Sequence, residues 1–147
     1  LGKLLGIDHG IKRIGLAVCD ASWMIARELT IINRKSKKED FEKIKHIAQE
    51  QRVVGVIVGL PMNLGAPDEY SQADTVKLWV ERFSATTDLP MMLWDEQLSS
   101  EEATELAIMK KRKIGEPIDD LAARVILQRY IDDFREGFAT SVLDQGQ

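Results

Sequence analysis

The apolar pattern of this chain of 147 residues changes once, near residue 35. Before that point come three short apolar segments, at residues 3–8, 13–18 and 27–32. The short connection between the first two contains a glycine, which is typical of a hairpin turn. The first part of the chain is therefore predicted to form an antiparallel meander of three strands.

After residue 35, helical patterns alternate with buried segments. The uninterrupted apolar runs at residues 53–58 and 91–94 are typical of parallel strands that are covered on both faces. Ser-x-x-Glu capping boxes predict helix starts at residues 36 and 99. Helical spacing of apolar residues predicts helices at residues 36–51, 70–83, 99–109 and 117–134. Pro117 is predicted to open the last of them, because it has no N–H group to leave unpaired.

The order of these elements, β-β-β-α-β-α-β-α-α, predicts a fold of the α/β class. We expect a mixed five-stranded sheet, with three antiparallel strands plus two parallel ones and helices on both faces. Because parallel strands are joined by right-handed crossovers, the strand at residues 53–58 should lie beside the first strand. The length of the chain predicts a single domain at residues 1–138, followed by a disordered tail at residues 139–147.

The composition argues against several classes of protein. The single cysteine, Cys19, excludes an internal disulfide, and two histidines argue against a His-rich zinc site. No apolar run approaches the roughly 18–20 residues of a membrane span. Together with the lack of a secretory signal, these features predict a cytoplasmic protein. The net charge of −4 argues against a non-specific DNA coat, but it is compatible with a nucleic-acid enzyme whose carboxylates bind metal ions.

Three acidic residues lie where such a sheet binds ligands, outside the carboxyl ends of its parallel strands. Asp8 ends the first strand, Glu96 follows the strand at residues 91–94, and Asp119 falls in the first turn of the last helix. Sites built only from carboxylates suit Mg²⁺ or Mn²⁺ rather than zinc. Two such ions about 4 Å apart would provide the machinery of phosphodiester hydrolysis.

Each of these acids also has a purely structural interpretation. Asp8 is equally compatible with a turn-forming role, and Glu96 with a place at a helix terminus. Asp119 and its neighbour Asp120 would stabilise the helix dipole by about 0.3–1 kcal/mol without binding any ligand. Spacing alone therefore leaves the metal site undecided.

Four segments resemble motifs of the YqgF/RuvX family and occur in the order of that family. They are residues 6–20 (GIDHGIKRIGLAVCD), 59–65 (GLPMNLG), 95–100 (DEQLSS) and 118–123 (IDDLAA). The resemblance implies a ribonuclease H-like fold and a nuclease for the 5′ end of pre-16S rRNA, with a place in ribosome biogenesis. It also implies that the catalytic and metal-binding acids are Asp8, Glu96 and Asp119.

The chain departs from the family pattern at several positions. Gln97 replaces the usual Arg, which removes a cation expected near the scissile phosphate and puts phosphate binding there in doubt. Asp120 occupies a position that is usually Ser, Cys19 also stands where Ser is usual, and Ile11 replaces a commonly polar residue. None of these changes removes one of the three carboxylates.

Several polar residues are candidates for binding nucleic acid, since phosphate contacts supply most non-specific affinity. They are Lys12, Arg13, Asn63, Lys110, Lys111, Arg112 and Lys113. The last four form a basic run directly before Asp119. The structural alternatives are a solvated hairpin tip for the first two, a Pro/Gly turn for Asn63 and a solvated loop for the basic run.

The leading hypothesis is a metal-dependent nuclease that acts on precursor rRNA. The alternatives are a Holliday-junction-resolving DNA endonuclease, which would need a two-fold dimer, and a non-catalytic RNA-binding module of the ribosome. An actin-like ATPase also begins with a DxG turn, but it needs two such domains around a cleft. The expected partners are RNA or branched DNA and no membrane, and the chain is expected to be a monomer or a weak homodimer.

Overall fold

The computed structural model describes residues 1–60, 72–95, 99–113 and 115–144. Its elements, in chain order, are β1 (Lys3–His9), β2 (Arg13–Cys19), β3 (Ala26–Asn33), α1 (Lys37–Gln51), β4 (Val53–Leu60), α2 (Gln72–Ser84), β5 (Met91–Asp95), α3 (Ser99–Met109), α4 (Asp119–Arg135) and a final 3-10 turn (Val142–Asp144). Within the described ranges, every helix is too short or too polar to cross a membrane.

The five strands form one sheet in the order β3-β2-β1-β4-β5. β1 pairs with β2, and β2 with β3, in antiparallel fashion, whereas β4 runs parallel to both β1 and β5. The predicted meander, the mixed sheet and the place of β4 beside β1 are therefore confirmed.

Two hydrophobic cores lie on opposite faces of the sheet. On one face α1 and α2 supply Phe41, Trp79 and Phe83, whose rings contact one another with centroids 5.0–5.4 Å apart. On the other face α4 covers the sheet and packs Tyr130 against Trp23. Helices thus cover both faces, as predicted, and α3 packs against the outside of α4.

Two glycines bring α4 very close to β1 and β2. A Cβ at Gly6 would lie 2.8 Å from Cβ of Leu127, and one at Gly15 would lie 1.9 Å from the carbonyl oxygen of Asp119. The second distance involves backbone, which cannot move aside as the end of a side chain can. Any side chain at position 15 would therefore displace the start of α4.

The start of α4 differs from the prediction. The helix begins at Asp119 with Ile118 as its N-cap, rather than at Pro117. The carbonyl oxygen of Pro117 accepts a hydrogen bond from the Arg112 side chain at 2.9 Å. The proline therefore belongs to the connection before the helix.

Of the two capping boxes, the first is confirmed, because the Ser36 hydroxyl accepts from the Glu39 N–H at 3.1 Å. Side chains 99–101 of the second lie outside the described residues.

The predicted disordered tail is also corrected as far as residue 144. The Tyr130 hydroxyl donates to the carbonyl oxygen of Thr140 and accepts from the N–H of Val142, both at 2.8 Å. Val142 is completely buried in the core beneath α4. A single tyrosine hydroxyl thus anchors this short segment, which has no periodic pattern that a sequence could reveal. Residues 145–147 lie outside the described residues.

Candidate active site

Asp8 lies at the carboxyl end of β1, directly opposite Gly15 of β2. Directly opposed residues of an antiparallel pair are about 4.5–5.5 Å apart between Cα atoms, and their side chains share one face of the sheet. For this pair it is the face that α4 covers, because the missing side chain of Gly15 is replaced by the Asp119 backbone. Asp8 is partly buried and points to the side where α4 begins.

Asp119 reaches the same place from α4. Its carboxylate accepts a hydrogen bond from Nε of Arg13, at the start of β2, with 2.9 Å between Nε and Oδ2. Its second oxygen, Oδ1, is 3.5 Å from the position that a Cβ on Gly10 would occupy. The structure therefore brings Asp8 and Asp119, which are far apart in sequence, to one edge of the sheet.

The third predicted acid, Glu96, lies outside the described residues, as do Gln97 and Asn63. The chain is described up to Asp95, which pairs with Leu60 at the end of β4. β4 separates β5 from β1, so two strand spacings, about 10 Å, lie between their backbones at this edge. Among the described residues, no three His, Cys, Asp or Glu side chains are arranged to hold a metal ion.

The donor chemistry of the two described acids fits a hard divalent cation. Carboxylate oxygens are the ligands that Mg²⁺ and Mn²⁺ prefer, and the site has no thiolate or imidazole that would favour zinc among its described residues. The contact with Arg13 shows that the Asp119 carboxylate is already placed against a positive charge. The oxygen donors of Asp8 and Asp119 therefore match the ligand preference of these ions.

A fourth side chain, Arg34, holds the hairpin that carries Asp8 and Arg13. Its Nη1 donates to the carbonyl oxygens of Gly10 at 3.0 Å and Ile11 at 3.2 Å. The backbone N–H of Arg34 also donates to the carbonyl oxygen of Lys12 at 2.9 Å. Sequence reasoning missed this residue, and its only signal is a cation placed two residues after the strand predicted at residues 27–32. Lys12, at the exposed tip, remains a candidate for phosphate binding.

The family model described as "RuvX: Holliday junction resolvase" matches residues 2–133. The chain belongs to the RuvX family. A relative from Thermoanaerobacter pseudethanolicus is 42% identical over 134 residues, which are 88% of this chain and 96% of that protein. A relative from Zymomonas mobilis is 35% identical, covering 90% of this chain and 82% of that protein. Both relatives carry the name "Putative pre-16S rRNA nuclease".

Solved structures show the fold of this RuvX member. The structure of Thermus thermophilus RuvC in complex with a Holliday junction substrate aligns with a TM-score of 0.66 and 16% identity. The alignment covers 95% of this chain and 99% of that one. The predicted ribonuclease H-like fold and the resemblance to the YqgF/RuvX family are both confirmed.

The basic run of this RuvX chain is divided between two environments. Lys110 pairs with Glu28 of β3, and Arg112 pairs with Asp120, the residue that stands where the family usually has Ser. Lys111 and Lys113 are exposed. Glu28 also accepts from Arg124 of α4 at 3.2 Å, so the connection before α4 is tied to both β3 and α4. No local pattern in the sequence indicates these partners. Glu28 is 82 residues from Lys110, and Arg112 reaches Asp120 across a connection with no regular structure.

His9 follows Asp8 but lies on the opposite face of the sheet. Its ring is buried and packs against Trp79, with 4.8 Å between the ring centroids. Burial, together with the charge of Arg34, lowers the pKa of His9 to about 4. The imidazole is therefore neutral at pH 7. It belongs to the core beneath α1 and α2.

Proposed function

We propose that this RuvX chain is a metal-dependent nuclease that trims precursor 16S rRNA. Asp8, Glu96 and Asp119 would hold Mg²⁺ or Mn²⁺. Lys12, Arg13, Asn63 and the two exposed lysines of the basic run, Lys111 and Lys113, would hold the nucleic acid. The observation that supports the proposal is that the backbone of Asp119 lies against Gly15, the residue directly opposite Asp8 on the neighbouring strand. The names of the two relatives, at 42% and 35% identity, favour precursor rRNA as the substrate. Such a substrate would be met in the cytoplasm.

The residues of the site have different roles in phosphodiester hydrolysis. Bound divalent ions would supply the charge that promotes ionisation of the attacking water and stabilises the leaving oxygen. Asp8, on the sheet, and Asp119, on the helix packed against it, would bind and orient those ions. Arg13, whose side chain is 39% exposed beside Asp119, is placed to contact a phosphate that enters the site. The positive end of the α4 dipole favours the same anion.

Cleavage of end-labelled RNA tests the proposal. Wild-type protein with Mg²⁺ or Mn²⁺ should cut a 16S precursor fragment, and Asp8→Asn should abolish cutting while keeping the fold. Asp133→Asn is the matched control: it makes the same change on α4, fourteen residues and roughly 21 Å beyond Asp119. Activity of Asp8→Asn equal to that of wild type would exclude the catalytic role of Asp8.

A second candidate function is cleavage of Holliday junctions, which the description of the matching family model favours. Symmetric cutting of a junction needs two active sites related by a two-fold axis. A synthetic four-way junction assayed beside the precursor RNA discriminates the two substrates. Paired cuts at symmetric positions of the junction, with the RNA left intact, would favour the resolvase.

A further inference from the structure

Two arginines hold the first turn of α4, one on each of its two successive acids. Arg13 of β2 donates to Asp119, and Arg112, from the connection before α4, pairs with Asp120. We propose that Arg112 is a positioning residue, which keeps Asp119 in the site by fixing the backbone of the first helical turn. The inference rests on the proposed function, since it takes Asp119 as a ligand of the metal ion.

Arg112 and Asp120 form a clamp, that is, a bidentate salt bridge with two parallel hydrogen bonds. Nη1 donates to Oδ1 at 2.7 Å and Nη2 donates to Oδ2 at 2.9 Å. Nη1 donates in addition to the carbonyl oxygen of Pro117 at 2.9 Å. The Asp120 side chain is only 9% exposed, so the clamp is shielded from water. Parallel hydrogen bonds of this kind require the planar guanidinium group, which a lysine cannot replace.

The clamp takes the place of a side-chain cap at the N-terminus of α4. Ile118, the N-cap residue of α4, makes no side-chain capping hydrogen bond. The first N–H groups of a helix have no partner within the helix. Oδ1 of Asp120 accepts one of them, the N–H of Leu121, at 3.0 Å. The carboxylate of Asp120 therefore joins the helix start to the connection that precedes it, through Arg112.

The two arginines respond differently to a bound cation. Arg13 contacts Asp119 itself, so a metal ion and the guanidinium compete for one carboxylate. Arg112 contacts Asp120, which is not a candidate ligand, so a bound ion would not compete for its hydrogen bonds. Arg112 would thus keep α4 in place whether Arg13 contacts Asp119 or a phosphate.

This assignment divides the basic run by function. Lys110, which pairs with Glu28, and Arg112 fix the connection to the body of the protein. Lys111 and Lys113 are exposed and are left to contact phosphate. The four cations are consecutive in the sequence but have two different roles. Substitution of a paired cation and substitution of an exposed one should therefore change different measured properties.

Kinetics and hydrogen exchange distinguish positioning from phosphate binding. We expect Arg112→Gln to lower kcat by up to about 100-fold with little change in KM, because a shift of about 1 Å in a catalytic group costs that much. The amide hydrogens of Leu121 and Ala122 should exchange faster, while the salt dependence of RNA binding stays unchanged. Arg112→Lys should fail to restore kcat, since a lysine keeps the positive charge but cannot make the two parallel hydrogen bonds of the guanidinium group.

Lys111→Gln is the matched control, with the same loss of one charge at the neighbouring position. It should flatten the slope of log affinity against log salt by up to about 0.7–0.9 and leave the exchange of Leu121 and Ala122 as in wild type. If Arg112→Gln behaves in this way instead, it binds phosphate and the positioning role is wrong. The positioning role is also wrong if Arg112→Gln has a lower melting temperature but a wild-type kcat when assayed well below that temperature.

The test also separates this proposal from the proposed function. If wild-type protein cleaves neither RNA nor junction DNA, the nuclease assignment fails without deciding the role of Arg112. In that event the affinity for Mn²⁺ alone decides it. Weaker Mn²⁺ binding by Arg112→Gln supports a clamp that positions Asp119, and binding equal to that of wild type contradicts it.

Discussion

The two faces of the sheet differ in how closely their helices approach the strands. The face beneath α1 and α2 is filled with large rings, and its one buried histidine is neutral. The face beneath α4 has glycines at positions 6 and 15, where the helix backbone almost touches the strands. Large rings such as Trp23 and Tyr130 also pack on this second face, but at the two glycines the lack of a side chain lets Asp119 approach the strand partner of Asp8. Close backbone approach at these two positions therefore places the start of α4 at the candidate site.

The largest effect is expected from removing a ring on the face beneath α1 and α2. Phe83 is fully buried there, and Phe83→Ala should lower the free energy of unfolding by about 3–5 kcal/mol. Because the change is remote from α4, kcat measured well below the melting temperature should stay near the wild-type value. Urea denaturation and cleavage assays check the two halves of this prediction. Loss of kcat in the folded variant would show that the two faces are coupled.

The opposite signature is expected at Gly15. Gly15→Ala should reduce cleavage by up to about 100-fold, since its Cβ would displace the backbone of Asp119. Overpacking should also lower the free energy of unfolding by about 1–3 kcal/mol.

Gly55→Ala in β4 is the control for Gly15→Ala. A Cβ there would meet only side-chain methyl groups, of Leu4 and Val142 at 3.1 Å, which can shift slightly. Cleavage by Gly55→Ala should remain close to wild type. Equal losses for the two variants would contradict the special role of the contact at Gly15.

The smallest effect is expected from pH and concerns His9. Its pKa is about 4 in the folded protein against an ordinary value of 6.5, so unfolding takes up a proton between those values. The stabilisation is fully present above pH 6.5 and is lost as the pH falls towards 4, by about 1–3 kcal/mol in total. His9→Leu should flatten the stability curve over this interval when measured by urea denaturation without metal. If the curve is unchanged, the pKa of His9 in the folded protein is not lowered from its ordinary value.

Local patterns in the sequence were sufficient to predict most of the fold. Short apolar runs identify all five strands, and the right-handed crossover rule places β4 beside β1. The carboxyl ends of parallel strands then locate the site edge, where Asp8 lies.

Contacts between separate elements and connections account for what the sequence did not reveal. Nothing local shows that Gly15 receives the backbone of Asp119, or that Arg112 reaches Asp120 across an irregular connection. Val142 is a similar case, since the Tyr130 hydroxyl that anchors its segment lies on α4. Such contacts depend on how finished elements pack together, and they leave no periodic trace in the chain.

Thermal unfolding with and without Mn²⁺ tests the central claim most directly, namely that Asp8 and Asp119 bind one divalent ion together. At a hundred times the Kd, an ion that binds only the native state adds about 2.7 kcal/mol, which corresponds to roughly 5–10 °C in Tm. We predict such a rise for wild type and for Asp133→Asn. Asp8→Asn should melt higher than wild type without metal, because one repelling charge is gone, and should gain less when Mn²⁺ is added. A Mn²⁺-induced rise in Asp8→Asn equal to that in wild type, or no rise in wild type even with a non-cleavable RNA present, would contradict the shared site.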